Sequence, residues 1–304
     1  FFSSRRRHTR LLTVTGVQTC ALPICTLASL GSQFTHFANI TVDSGATWTL
    51  TADSIGAGYT IVDSGTLTNT GSIGSAITMG SGAQLTNAAT GTIASAGTAT
   101  VLYGTTLGSA TVVNAGVIVN TNTAGIGIEL DGGGIVTNQA GGRISAVGSG
   151  VYAGGTVEST VVNAGTIFSS GTSSPAVNLY RGGLLINQSG GVVSGYQNAV
   201  ATSIYQFLRV TNAGLLESRS NGASGISAGN GVSVTNQSGG TIVGHYGISA
   251  DGFADNTAST LVNAGIIQGQ TVLGVGVLFQ RGGDRKSTRL NSSHSQQSRM
   301  PSSA

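Results

Sequence analysis

The chain has 304 residues, of which only 8% are charged and 49 are glycine, and its formal net charge is +3. Two cysteines are too few for a disulfide-built scaffold, and no apolar run reaches the roughly 18 residues that a membrane helix needs. The basic balance excludes less than it suggests, because most of it sits at the two ends.

Residues 1–25, from Phe1 through Arg5-Arg6-Arg7-His8 to Cys25, share none of the pattern that follows, and neither do residues 284–304. These two tails carry eight basic residues against Asp284, a net +7, whereas residues 26–283 carry five arginines and nine acids, a net −4. The basic runs are therefore no evidence for nucleic-acid binding by the body of the chain. Neither lysine nor cysteine occurs in residues 26–283. The stretches Ser3-Ser4-Arg5-Arg6-Arg7-His8-Thr9-Arg10, Thr13 to Ile24 and Arg285 to His294 resemble translated sequencing-adapter read-through. That resemblance implies non-native, disordered tails, to be set aside from fold reasoning. A signal peptide is the competing reading, with Arg5 to Arg10 ahead of Leu11 to Ile24. Gly16, Gln18 and three threonines make a poor apolar core, and Pro23-Ile24-Cys25 is no small-residue cleavage site.

Residues 26–60 read as degenerate first coils, with Asp43-Ser44-Gly45 echoed by Asp63-Ser64-Gly65. From Leu67 to Ile267 the chain then writes one phrase nine times: an aliphatic residue, one residue, Asn, a short spacer, then Gly-x-aliphatic. The asparagines are Asn69, Asn87, Asn114, Asn138, Asn163, Asn187, Asn212, Asn236 and Asn263, separated by 18, 27, 24, 25, 24, 25, 24 and 27 residues. A fixed period in this range is the mark of a stacked repeat. The spacer alternates between Ala-Gly, as after Asn114 and Asn163, and Gln-(Ala/Ser)-Gly-Gly, as after Asn138 and Asn187. Like units thus recur at 49 residues (Asn114, Asn163, Asn212), which makes the building unit two coils.

Each phrase holds two short segments rich in Val, Ile and Thr, such as Ile135-Val136-Thr137 and Arg143-Ile144-Ser145, suited to a pleated half-buried backbone. Asn and Gly between them tolerate the left-handed backbone that a sharp corner requires. A third apolar segment follows, for example Ile126 to Leu130 or Val177 to Leu179. Three short strands per ~24 residues without helical periodicity predict an all-β parallel β-helix (a β-solenoid) of about ten coils over residues 26–283. Regular repeats run through 61–283. At about 4.8 Å per coil the rod is on the order of 45–50 Å long. Equivalent asparagines then stack into a ladder whose amides both donate and accept along the axis.

Candidate chemistry is sparse. Glu129 and Asp131 are the nearest approach to the carboxyl pair of glycoside hydrolysis, with Arg181 at the matching place two coils on, roughly 10 Å away. Solvated charges at a turn beside Gly132 and Gly182 explain the same residues, and Arg281-Gly282-Gly283 repeats that turn. His36 and His245 lie many coils apart, so no metal site is expected, and no cofactor motif is present. Tyr103 and Tyr152 are 49 residues apart and Tyr196 and Tyr246 are 50 apart. With Tyr180 and Tyr205 they could line one side as ligand-contact aromatics, since ring faces suit sugar stacking and partner anchoring. Their plainer role is to cover the edge of the third strand.

The run Val234-Thr235-Asn236-Gln237-Ser238-Gly239-Gly240-Thr241-Ile242, alternating with Val161-Val162-Asn163-Ala164-Gly165-Thr166-Ile167, resembles passenger regions of bacterial autotransporters and related surface adhesins. The resemblance covers nearly all of residues 61–283. It implies a right-handed parallel β-helix serving as a non-catalytic stalk or adhesin displayed on the outer membrane, facing host or bacterial surface glycans or proteins. It also implies a membrane-embedded β-barrel translocator encoded downstream, so that this chain is expected to be a fragment. The family has no shared catalytic motif, so no site residues follow from it. The alternative is a polysaccharide-processing β-helix of the lyase, glycosidase or phage tailspike type.

Overall fold

The computed structural model describes residues 39–51, 54–97, 100–106, 108–203, 205–251, 258–270 and 273–280, together with the backbone of strands Gln18–Thr19, Ile24–Ala28 and Gly283–Ser287. Most of the two tails, and His36, lie outside the described residues. Among the described residues every regular element is a strand, and the strands form three parallel sheets of 12, 12 and 10. The chain is a parallel β-helix of about nine turns of about 25 residues.

One coil shows the plan. Ile126–Leu130 lies in sheet 1, Gly134–Asn138 in sheet 2 and Arg143–Ala146 in sheet 3, and the chain re-enters sheet 1 at Val151–Ala153. Each strand pairs only with its equivalents one coil before and after, as Gly134–Asn138 does with Ala110–Asn114 and Ser159–Asn163. Alternate side chains point inward. The aliphatic residues two places before each asparagine, from Leu67 through Val136 and Val161 to Leu261, form one buried line. The aliphatic residues after each glycine, from Ile73 through Ile144 to Ile267, form a second. Sheet 1 supplies the third with Ile77, Leu102, Ile128, Val151 and Val177. Each side of a coil contributes only one or two buried aliphatic residues, such as Val177 and Leu179, so its core is closed by the coils above and below.

The register is kept through the corners. Ala115 N–H donates to the carbonyl of Asn87 at 2.8 Å and Ala164 N–H to that of Asn138 at 2.7 Å, so the backbone ladder does not stop where the chain turns. The corner glycines are required for a different reason from the one expected. Gly165, Gly214 and Gly265 in the short spacers do not adopt a positive φ, and each asparagine is the extended last residue of its strand. These glycines are needed for close approach: a Cβ on Gly165 would stand 2.2 Å from the carbonyl oxygen of Gly142 and 2.7 Å from Nδ2 of Asn138. Of the two spacer types only the long one has a left-handed glycine, the first of each pair (Gly141, Gly190 and Gly239, φ 80–85°), and the turns between sheets 1 and 2 use others, such as Gly82, Gly133 and Gly182.

A second departure lies in the early coils. Asp43 and Asp63 are not equivalent, because Val42 is the residue in register with Asp63, and Thr47 the one in register with Thr66. Four residues bridge sheets 1 and 2 in the first coil and two in the next. The shortened turn leaves Asp43 exposed at the surface and carries Asp63 into the core line between Val42 and Met79.

Candidate functional site

The nine asparagines come together as one continuous structure. Asn69 Nδ2 donates to Asn87 Oδ1 at 2.9 Å, and the next seven steps, through Asn114, Asn138, Asn163, Asn187, Asn212 and Asn236 to Asn263, are each 2.8 Å. Each donor also faces a glycine carbonyl of its own coil, as Asn138 faces Gly142 at 3.1 Å, and a carbonyl of the next, as it faces Thr166 at 3.2 Å. All nine side chains are buried. Burying an amide without partners costs about 1–3 kcal/mol, and here each amide meets acceptors on its own and the following coil. The ladder is internal, with no face open to a ligand, so its role is structural. At its beginning Leu50 stands in register with Asn69.

The six tyrosines do not form one stripe. Tyr103 and Tyr152 stand on the outer face of sheet 1, in register with Glu129 from either side. Tyr180 follows the next sheet 1 strand, Val177–Leu179, and Tyr205 lies in the connection ahead of the sheet 2 strand Phe207–Asn212. Tyr196 and Tyr246 lie at the opposite end of the sheet 1 strands, where sheet 3 turns into sheet 1, and Tyr246 meets His245 edge to face at 4.6 Å. Among the described residues no three His, Cys, Asp or Glu converge as a metal site would require.

On sheet 1 the structure builds a cluster that sequence spacing only half revealed. Tyr103, Glu129, Tyr152 and Asn178 form one outward row across four successive coils. Two residues on, just past the ends of these strands, come Thr105, Asp131, Gly154 and Tyr180. Thr100 donates to Glu129 Oε2 at 2.6 Å, and the Tyr103 hydroxyl donates to Asp131 Oδ2 at 3.1 Å. The rings of Tyr152 and Tyr180 lie 6.3 Å apart, tilted by 42°. The Arg181 guanidinium stands 5.7 Å from the Tyr180 ring, and its Nε donates to the Gly155 carbonyl at 2.9 Å. Gly154 makes room for the Tyr152 ring, whose Cε1 would lie 2.3 Å from a Cβ at that position.

The electrostatics bind these groups together. Partial burial, and then the negative charge of Asp131, push the Glu129 carboxyl above the usual carboxylate range, against the hydrogen bond from Thr100 that favours its ionised form. Burial also raises the phenols of Tyr103 and Tyr152, and the carboxylates of Asp131 and Glu129 add to both. Thr100 and Gly154 were not legible as members, although the 26-residue offset that aligns Tyr103 with Glu129 also aligns Thr100 with Ile126. Arg181 was expected too far from the acids for a tight pair. Among the described residues the ion pair is instead Arg209, on sheet 2, with Glu158, just ahead of the sheet 2 strand Ser159–Asn163, both half exposed.

Asp63 is the other unusual group. It is fully buried, Oδ1 accepts from Gly65 N–H at 3.0 Å, and Oδ2 has no hydrogen-bond partner among the described residues. Desolvation pushes its carboxyl up to about 7, the Gly65 hydrogen bond opposing. No protein-family description, no curated protein and no solved structure matches this chain. The arrangement of side chains on the rod is therefore what bears on function.

Proposed function

We propose that this chain is a segment of a rod displayed on a bacterial surface, a stalk or adhesive passenger of the autotransporter type that grips its ligand without transforming it. The observation that supports this reading is the buried asparagine ladder, unbroken over nine coils. It holds together residues 26–283, which contain neither lysine nor cysteine, so that stability comes from stacked coils and not from disulfides, as suits a protein exposed outside the cell. Its partners on this reading are surface glycans or proteins, with a β-barrel translocator as the export partner.

The polysaccharide-processing alternative rests on Glu129 and Asp131. Asp131 follows the end of the strand that carries Glu129, two residues on and roughly 7 Å away at Cα, so the two carboxyls lie near enough to be compared with the pair ~5–9.5 Å apart in glycosidases. Both project from the same outer face, however, whereas the acid and its partner must flank the scissile bond. The test is to incubate the full chain with acidic and neutral polysaccharides and to follow retention on the immobilised polymer together with release of reducing ends. Retention without release supports the adhesive rod. Turnover abolished by Glu129→Gln would replace it with the enzymatic reading.

A further inference from the structure

We infer that the outer face of sheet 1, across the four coils carrying Tyr103, Glu129, Tyr152 and Tyr180, is a binding site for an uncharged oligosaccharide. The inference deepens the adhesive-rod reading and rests on it.

The site is a local departure from an otherwise plain surface. The same outward row continues past Asn178 with Ala201, Ser227 and Ser249, and it precedes Tyr103 with Thr78 and Val62. On this row the long polar and aromatic side chains are thus confined to four coils, a span of about 14 Å along the axis, while Asp251 and Gln280 form a separate hydrogen-bonded pair several coils on. A stacking repeat needs none of them, since the core is complete beneath.

Their chemistry matches a pyranose. One side of a sugar ring is apolar C–H and stacks on an aromatic face, while its rim carries hydroxyls that donate and accept. Tyr152 and Tyr180 supply two neighbouring rings, and Tyr180 is 41% exposed. Between them and Tyr103 stand two carboxylates, each already oriented by one internal donor. An ionised carboxylate has about four acceptor sites, so both keep capacity for sugar hydroxyls. The Arg181 guanidinium and the Asn178 amide supply donors on the far coil. Orientation by protein partners before the ligand arrives lowers the entropic cost of binding.

Charge selects among sugars. Two carboxylates face one guanidinium, and Asp131 already disfavours the ionised form of its neighbour Glu129. A uronate or a sulfated sugar would bring a third negative charge onto the same face, so the neutral class is favoured.

The experiment is isothermal titration of the full chain with cellotetraose, maltotetraose and mannotetraose, and with trigalacturonate as the anionic probe, each also followed for cleavage. At least one neutral probe is expected to bind at least tenfold more tightly than trigalacturonate. Tyr152→Ala and Glu129→Gln should each weaken that binding tenfold or more, and Gly154→Ala should weaken it by displacing the Tyr152 ring. Tyr196→Ala, at the opposite corner, should leave it unchanged. Far-UV circular dichroism checks that each variant keeps its fold, and Glu129→Gln, an exterior isostere, keeps the test alive should Gly154→Ala unfold. Absence of binding to any neutral probe, or binding indifferent to Tyr152→Ala and Glu129→Gln, overturns the inference while leaving adhesion through another surface open. Cleavage of a probe overturns the adhesive-rod reading itself.

Discussion

Asn138 donates its side-chain amide to Oδ1 of Asn163 at 2.8 Å, and Asn163 in turn donates to Asn187 at 2.8 Å, all within the buried corner of the helix. Asn163→Leu therefore removes an acceptor from one coil and a donor from the next. Asn138 Nδ2 keeps the carbonyls of Gly142 and Thr166, whereas Asn187 Oδ1 loses its ladder donor. A buried group left without its partner costs about 1–3 kcal/mol, so the substitution should lower stability by about 1–3 kcal/mol in urea denaturation. Adding Asn187→Leu should cost less than the same change made alone, since the two share a hydrogen bond. A loss below about 1 kcal/mol for Asn163→Leu would show the ladder to be ornamental.

The glycines separate close approach from backbone freedom. Gly141→Ala meets open space and pays only for a left-handed alanine, about 1–2 kcal/mol. Gly165→Ala pushes a methyl onto the Gly142 carbonyl and forces neighbouring coils apart, a cost of about 3 kcal/mol or more. Thermal unfolding of the two variants should rank them in that order, and the reverse order would disprove the close-approach account.

Asp63 makes stability depend on pH. Its carboxyl holds a proton more tightly folded, at about 7, than unfolded, at its ordinary 3.8. Stability from this group is therefore fully present below about pH 4 and is lost as pH rises through about 7, with a flat penalty beyond. A shift of this size corresponds to something on the order of 4 kcal/mol. Asp63→Asn should flatten the pH dependence of the unfolding midpoint between pH 4 and 8. An unchanged slope would mean that other groups set it.

The position of Asp63 also marks where sequence reasoning stops. Asp43-Ser44-Gly45 and Asp63-Ser64-Gly65 look alike as strings, yet a turn shorter by two residues moves the second aspartate from a loop to the core. Turn length between degenerate coils leaves no periodic trace. The regular coils were legible because one asparagine repeats where only an amide fits, and the aliphatic lines from Leu67 and Ile73 follow from it. The sheet 1 cluster was only partly legible: Tyr103 and Tyr152 are spaced by one two-coil unit, but the coil between them carries Glu129. The pairing of Tyr152 with Tyr180 depends on ring direction over Gly154, and Tyr196 and Tyr246, equally well spaced, fall at another corner.

Tyr103 reports directly on that cluster. Burial and the Asp131 carboxylate raise its phenol, so Asp131→Ala should bring the ionisation of Tyr103 back toward the ordinary tyrosine range. Ultraviolet titration of the chain, differenced against Tyr103→Phe, isolates the signal. An ionisation unmoved by Asp131→Ala would mean that the hydroxyl does not donate to Asp131 in solution.

Every amide in the asparagine ladder points the same way, its nitrogen toward the coil of higher residue number. Backbone dipoles in a sheet largely cancel, but side-chain dipoles aligned head to tail add, as peptide dipoles do along an α-helix. The rod thus has an electrical axis buried in one corner, negative toward Asn69 and positive toward Asn263. Its two ends are unlike in potential as well as in sequence.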